Sequence, residues 1–221
     1  MGTDPTDTAA PRATPDEAAG DLSPWSTRPD PEAERRAKRM AVLRSAARQF
    51  NEKGFRATSM DDVATALQVT KPTIYHYFAS KDEILFECVR LGLSQIREGT
   101  TGAAERGGTG LERMQAMVHA YALSMTHDFG ICVSRTGDAE LSPESRAKFR
   151  ALKREIDDIV REIIEAGIED GSMRSEDPKI ATFLVAGAIN WIARWYRPDG
   201  ARTREEIADF AVQHLTRALA A

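Results

Sequence analysis

Three helix-start signals crowd into residues 59–83, and their spacing constrains this chain more than any other feature. Ser59-Met60-Asp61-Asp62 opens like a capping box, with a hydroxyl to accept from the third helical amide and a carboxylate to reach back. Thr70 follows with Pro72 in the first turn, where a missing N–H costs nothing. Ser80-Lys81-Asp82-Glu83 is the third start, and reads as the most complete box of the three. Starts this close leave room for two short helices and then a longer one carrying Ile84, Leu85, Val89, Leu91 and Ile96. Upstream, Met40, Leu43, Ala46, Ala47 and Phe50 recur at i, i+3, i+4 spacing, and Gly54 ends that pattern. A supporting helix followed by two helices joined at Gln68-Val69 makes a helix-turn-helix.

Beyond it, the stretch Gly99–Gly110 reads as a flexible linker. Four helical segments then run roughly over 111–127, 143–169, 178–196 and 203–220, punctuated by Gly171, Asp177-Pro178, the break Arg197-Pro198-Asp199-Gly200, and Thr203 with Glu206. Nothing reads as a strand, so the expected fold is all-α. The expected organisation is a disordered tail over 1–30, rich in Pro, Ala, Thr, Asp and Gly. A helix-turn-helix domain over 31–80 and a helical ligand-binding and dimerisation domain over 81–221 follow it.

Charge separates along the chain. Residues 35–81 hold ten Lys and Arg against three acids, a net of +7, and the remainder carries −11. A basic block on an acidic body fits a module that meets phosphate, although a solvated helix face would look the same by charge alone. The opening residues lack the apolar segment of a secretory signal and no window is apolar enough to span a bilayer. A cytoplasmic location without membrane contact is expected. Cys88 and Cys132 have no metal-ligand spacing; buried free thiols are the expectation, with a disulfide as the alternative. His119 and His127 stand about two turns apart, too far to share an ion. No acid–base or nucleophile constellation is visible, so neither an enzyme nor a cofactor is expected. A helical enzyme binding an anionic or thioester substrate, and a non-specific DNA-binding scaffold, are the rival readings.

The segment Thr70-Lys71-Pro72-Thr73-Ile74-Tyr75-His76-Tyr77-Phe78 carries the functional signal. Ile74, Tyr75 and Phe78 can face the preceding helices, which leaves Lys71, Thr73, His76 and Tyr77 outward on a two-turn helix of the kind a major groove admits. Lys81 stands at the next helix N-terminus, a position that favours phosphate. From Arg39 to Leu85 the chain resembles the TetR family of transcriptional regulators, on Leu43, Ala46-Ala47, Phe50, Gly54-Phe55, Thr58-Ser59-Met60-Asp61-Asp62-Val63-Ala64, Val69 through Phe78, Ser80-Lys81 and Ile84-Leu85. The resemblance implies that Lys71, Thr73 and His76 approach bases. It implies phosphate contacts from Ser59, Thr70, Tyr75, Tyr77 and Lys81. Gln68 departs from it, since many relatives place glycine there for a positive φ.

The same resemblance implies a variable C-terminal domain fitted to a small-molecule effector, a homodimer built on the last two helices, and a repressor released from a palindromic double-stranded DNA operator. Ile180, Phe183, Leu184, Ala186, Gly187, Ala188 and Ile192 make one apolar helix, and Ile207, Phe210, Ala211, His214, Leu215 and Ala218 a second stripe. The run Asn190–Pro198 is similar to the matching segment of TetR-family regulators of fatty-acid and steroid breakdown that respond to acyl-CoA thioesters. That implies an acyl-CoA effector, held by Trp191, Arg194 and Trp195 with Met114, Met117, Val118, Tyr121, Met125, Phe129 and Ile163 as walls. Each of these residues would serve equally well in a core or a dimer interface.

Overall fold

A computed structural model describes residues 30–221; the expected disordered tail, apart from Asp30, falls on residues outside that range. The chain divides into two units, Met1–Arg36 and Ala37–Ala221. Of the first, only Asp30 and the opening of α1 (Pro31–Lys53) are described. There Asp30 accepts the Glu32 N–H at 3.0 Å, and Arg36 pairs with Asp30 and Glu32.

In the second unit α1 buries Leu43, Ala46, Ala47 and Phe50 of the predicted stripe, with Val42 added and Met40 only partly buried. Gly54 ends it at φ 86°, in the left-handed region that glycine enters without steric cost. Then come α2 (Met60–Ala66) and α3 (Lys71–Tyr75), with Gln68 between them at φ 55°. Gln68 is the one non-glycine residue with positive φ among the described residues, and it sits where the sequence pattern asks for glycine.

Helix α4 (Lys81–Ala104) overturns the linker expectation. It runs through the first half of the Gly99–Gly110 stretch because Ile96, Thr100 and Ala103 are buried along one face, and Thr100 donates its hydroxyl to the Ile96 carbonyl at 2.8 Å. Burial of that face outweighs the helix penalty of two glycines. The connection shrinks to 105–109. Thr109 and Glu112 then form a full capping box that starts α5 (Gly110–Ser124).

A further short helix, α6 (Asp128–Arg135), lies where the sequence pattern suggests only an irregular connection. It packs across α4, where Gly92 permits an approach that a Cβ would block: such an atom would lie 2.5 Å from the Phe129 carbonyl oxygen. After a 3-10 turn at Asp138–Glu140 come α7 (Pro143–Glu169), α8 (Pro178–Trp195) and α9 (Arg204–Arg217), close to the predicted spans. Asp177 caps α8, and Thr203 with Glu206 boxes α9. The described residues contain nine α-helices and no strand, only an isolated bridge between Met173 and Ala220. No helix among them is long and apolar enough to cross a membrane. Both cysteines are free and buried, and burial pushes the Cys88 thiol well above its ordinary pKa.

Candidate nucleic-acid interface and effector cavity

Helix α3 has two sides of opposite character. Ile74 and, just past its end, Phe78 are essentially inaccessible, and they fix the helix against the core of the unit. Lys71, Thr73, Tyr75 and His76 are exposed. Tyr75 corrects the sequence reading: its ring is 48% exposed rather than core, while Tyr77 is the tyrosine packed partly inward. Tyr77 meets His76 edge-on at 5.1 Å.

Several donors are already engaged. Lys71 Nζ bonds Asp61 Oδ2 at 2.9 Å, and this hydrogen bond holds the ammonium above its ordinary pKa. Thr70 has the extended backbone of an N-cap, yet its hydroxyl pairs with that of Thr73 at 2.9 Å instead of capping an amide. Ser59 forms a complete box with Asp62: its N–H and hydroxyl both donate to Asp62 Oδ2, and it accepts the Asp62 N–H. These bonds, with that of Lys53, hold the Asp62 carboxyl far below its ordinary range.

Two readings at the start of α4 change. The box at Ser80 is half made, because Glu83 accepts the N–H of Ala79 at 2.7 Å rather than that of Ser80. Lys81 points back into the protein. Its Nζ donates to the carbonyls of Phe55 and Thr58, both at 2.8 Å, and lies 4.4 Å from the centre of the Phe55 ring. Two of its three N–H groups are therefore spent on the loop between α1 and α2.

The expected effector walls separate into three places. Met114, Met117, Val118 and Met125 are fully buried, with Phe129 and Ile163 nearly so, and they fill the core. Tyr121 alone of that set reaches a cavity of about 230 Å3, lined also by Leu93, Ser134, Lys153, Asp157 and Asn190. Its hydroxyl donates to Asn190 Oδ1 at 3.0 Å, and burial raises its pKa. Burial likewise raises the pKa of Asp157. Trp191 and Trp195 are exposed on another face of α8, together with Ile180, Phe183 and Leu184. Arg194 donates to the Ser134 carbonyl at 3.0 Å. His119 lies 3.5 Å from Asp209, and His127 bonds the Leu123 carbonyl, so the two histidines keep separate partners.

A family model described as bacterial regulatory proteins of the tetR family matches residues 42–88. A second, described as the tetracyclin repressor-like C-terminal domain, matches residues 107–219. The chain belongs to the TetR family. PfmR, a TetR-family regulator from Thermus thermophilus, is 35% identical in sequence with a TM-score of 0.73, covering 80% of this chain and 97% of its own. AibR, crystallised with isovaleryl coenzyme A and operator DNA, is 30% identical with a TM-score of 0.71, covering 79% and 96%. The repressor KstR2 of Rhodococcus jostii is 28% identical over 175 residues, 77% of this chain and 85% of that protein.

As a member of the TetR family, the chain is a DNA-binding transcriptional regulator, and its helix-turn-helix lies where the resemblance put it. Sequence reasoning missed the join between the helix-turn-helix and the helices behind it. Asn51, near the end of α1, donates to the Asp128 carbonyl at 2.8 Å, and Arg48 pairs with the Asp128 carboxylate at 3.0 Å. From the other end of α6, Arg135 donates to the Asn51 carbonyl and to that of Ala193 in α8. No side-chain cap opens α6, whose N-cap is His127, and eight residues are too few for periodicity to register.

Proposed function

We propose that this chain is a homodimeric TetR-family repressor. In this reading α3 enters the major groove of a palindromic operator, and an acyl-CoA thioester releases it. The partition into a DNA-reading part up to residue 80 and a sensing part beyond it belongs to the same proposal. The exposed, donor-rich face of α3, opposite the buried Ile74 and Phe78, carries the reading. Lys71, Thr73 and His76 read bases. Ser59, Thr70, Tyr75 and Tyr77 meet the backbone, Tyr77 with only part of its ring free. Lys81 serves instead to fasten the loop after α1.

For the dimer, the support is the apolar face of α8. Ile180, Phe183, Leu184, Trp191 and Trp195 follow helical spacing and are all at least half exposed, beside Phe210 of α9. Two copies related by a twofold would bury that face in a four-helix bundle. The tryptophans then belong to the interface, not to the effector. Such a dimer sets its recognition helices ~34–36 Å apart, one turn of DNA.

The effector enters the cavity at Tyr121, Asp157 and Asn190. At about 230 Å3 the cavity suits a short acyl group. The exposed Lys153 on its lining is placed to meet a coenzyme A phosphate outside. Ser134 and Thr136 bring α6 to the same cavity, and α6 holds α1 at both ends, so a ligand that displaces α6 moves the DNA-reading helices. A 100-fold preference of ligand for the DNA-incompetent form supplies about 2.7 kcal/mol of coupling.

The test is fluorescence anisotropy with operator and scrambled duplexes, followed by release with isovaleryl-CoA. Thr73→Ala should lose about 1–3 kcal/mol on operator and little on scrambled DNA. Equal loss on both duplexes contradicts base reading by α3. Release by the free acid as readily as by the thioester contradicts the coenzyme A part alone.

A further inference from the structure

A second cavity, of about 300 Å3, opens at the join of α1, α4, α6 and α8. Its apolar lining includes Phe50, Phe55 and Leu85, and its polar lining includes Asn51, Arg135 and Arg194. Neither arginine has a carboxylate within ion-pair distance among the described residues. Arg135 is satisfied by the carbonyls of Asn51 and Ala193, and Arg194 by that of Ser134. Each keeps N–H groups in reserve, since a guanidinium carries five. Glu140 also lines the cavity, but its Oε2 already accepts the Gly137 N–H at 2.9 Å. Asn51 Oδ1 is buried and has no hydrogen-bond partner, while the amide nitrogen beside it is held by Asp128. Two arginines outside ion-pair contact with any carboxylate, an orphaned acceptor and an aromatic wall thus share one space of ligand size, where one carboxylate, Glu140, offsets only part of their charge.

We propose that this junction cavity binds a small organic carboxylate with an apolar body and a hydroxyl or N–H donor. The carboxylate takes the free N–H groups of Arg194 and Arg135, for which a planar, two-oxygen anion is the natural complement. The apolar body lies against Phe50, Phe55 and Leu85, and the donor satisfies Asn51 Oδ1. The site is separate from the one at Tyr121 and Asp157, although Thr136 lines both cavities. Binding is independent of the regulator reading. Its consequence, a stiffened link between the end of α1 and the end of α8, rests on that reading.

The test is calorimetric titration of the full chain with mandelate, which has the carboxylate, the ring and the hydroxyl. Phenylacetate lacks the hydroxyl, and mandelamide lacks the charge. One mandelate per chain is expected, weaker binding of phenylacetate, and none of mandelamide. Arg194→Ala should weaken mandelate at least tenfold, Arg194→Lys less, and Asp157→Asn in the other cavity should leave it unchanged. Arg194 is exposed, so its truncation leaves the fold intact, which circular dichroism verifies. Mandelamide binding as well as mandelate, an Arg194→Ala variant that binds normally, or no heat with mandelate at millimolar concentration overturns the proposal. Inorganic phosphate that displaces mandelate at equal concentration overturns the organic-acid class. Operator affinity is measured separately, and its absence alone counts against the regulator reading while leaving mandelate binding in place.

Discussion

Lys81 joins the first residue of α4 to the loop between α1 and α2 through the Phe55 and Thr58 carbonyls. Lys81→Ala leaves both acceptors without their partner, a loss of about 1–3 kcal/mol. In a chain of this length each kcal/mol moves the thermal midpoint by roughly 2–4 °C. A variant with an unchanged midpoint but uniformly weaker DNA binding would return Lys81 to a phosphate-contacting role. Asp62 makes a pH prediction at the same scale. Its carboxyl is held below its ordinary 3.8 by the Ser59 hydroxyl, the Ser59 N–H and Lys53. Its contribution is therefore complete above 3.8 and drains away as pH falls through the lower folded value. The stability gap between wild type and Asp62→Ala, followed by thermal melts, should hold near neutrality and narrow below that point; a gap that widens in acid reverses the sign. Some of this was legible in the sequence. Ser59-x-x-Asp62 was visible as local chemistry, and the positive φ at Gln68 only through the resemblance to TetR regulators, which place glycine there. The inward turn of Lys81 was not, because its acceptors lie more than twenty residues away in the chain.

At the scale of elements, α6 is held by close contact rather than by its own propensity. Gly92→Ala would push a methyl toward the Phe129 carbonyl and within 2.7 Å of Val133 Cγ2. Overpacking of this kind costs about 1–3 kcal/mol. Because α6 grips α1, the variant should also change operator affinity beyond what its melting shift explains. A variant that melts lower with unaltered affinity would argue that α6 is a passive strut. The long helices α1, α7, α8 and α9 could be read from periodicity and caps, since each repeats its pattern over several turns. The glycine stretch in α4 misled, because composition says nothing about a face buried against neighbours. Capping misled too: Glu83 carries the right side chain, but it reaches Ala79, one residue beyond the expected amide.

For the whole molecule, the proposed dimer rests on the exposed stripe on α8. Leu184, 69% exposed in the single chain, stands in the middle of it. Leu184→Glu places like charges beside the twofold and should convert dimer to monomer in sedimentation velocity. Operator affinity should fall by about 10²–10⁴ as the second recognition helix loses its tether. A variant that stays dimeric moves the interface to another face. The cavity lining was the least legible part, because methionines that fill a core, as Met114, Met117 and Met125 do, and methionines that line a cavity have the same spacing. On the DNA-facing surface, Lys71 arrives with Asp61 already serving as its counterion. In the proposed complex, an approaching duplex must first displace that tethered carboxylate from the ammonium. A lysine and an aspartate that together are neutral should add less to the ionic-strength dependence of binding than an unpaired surface cation would.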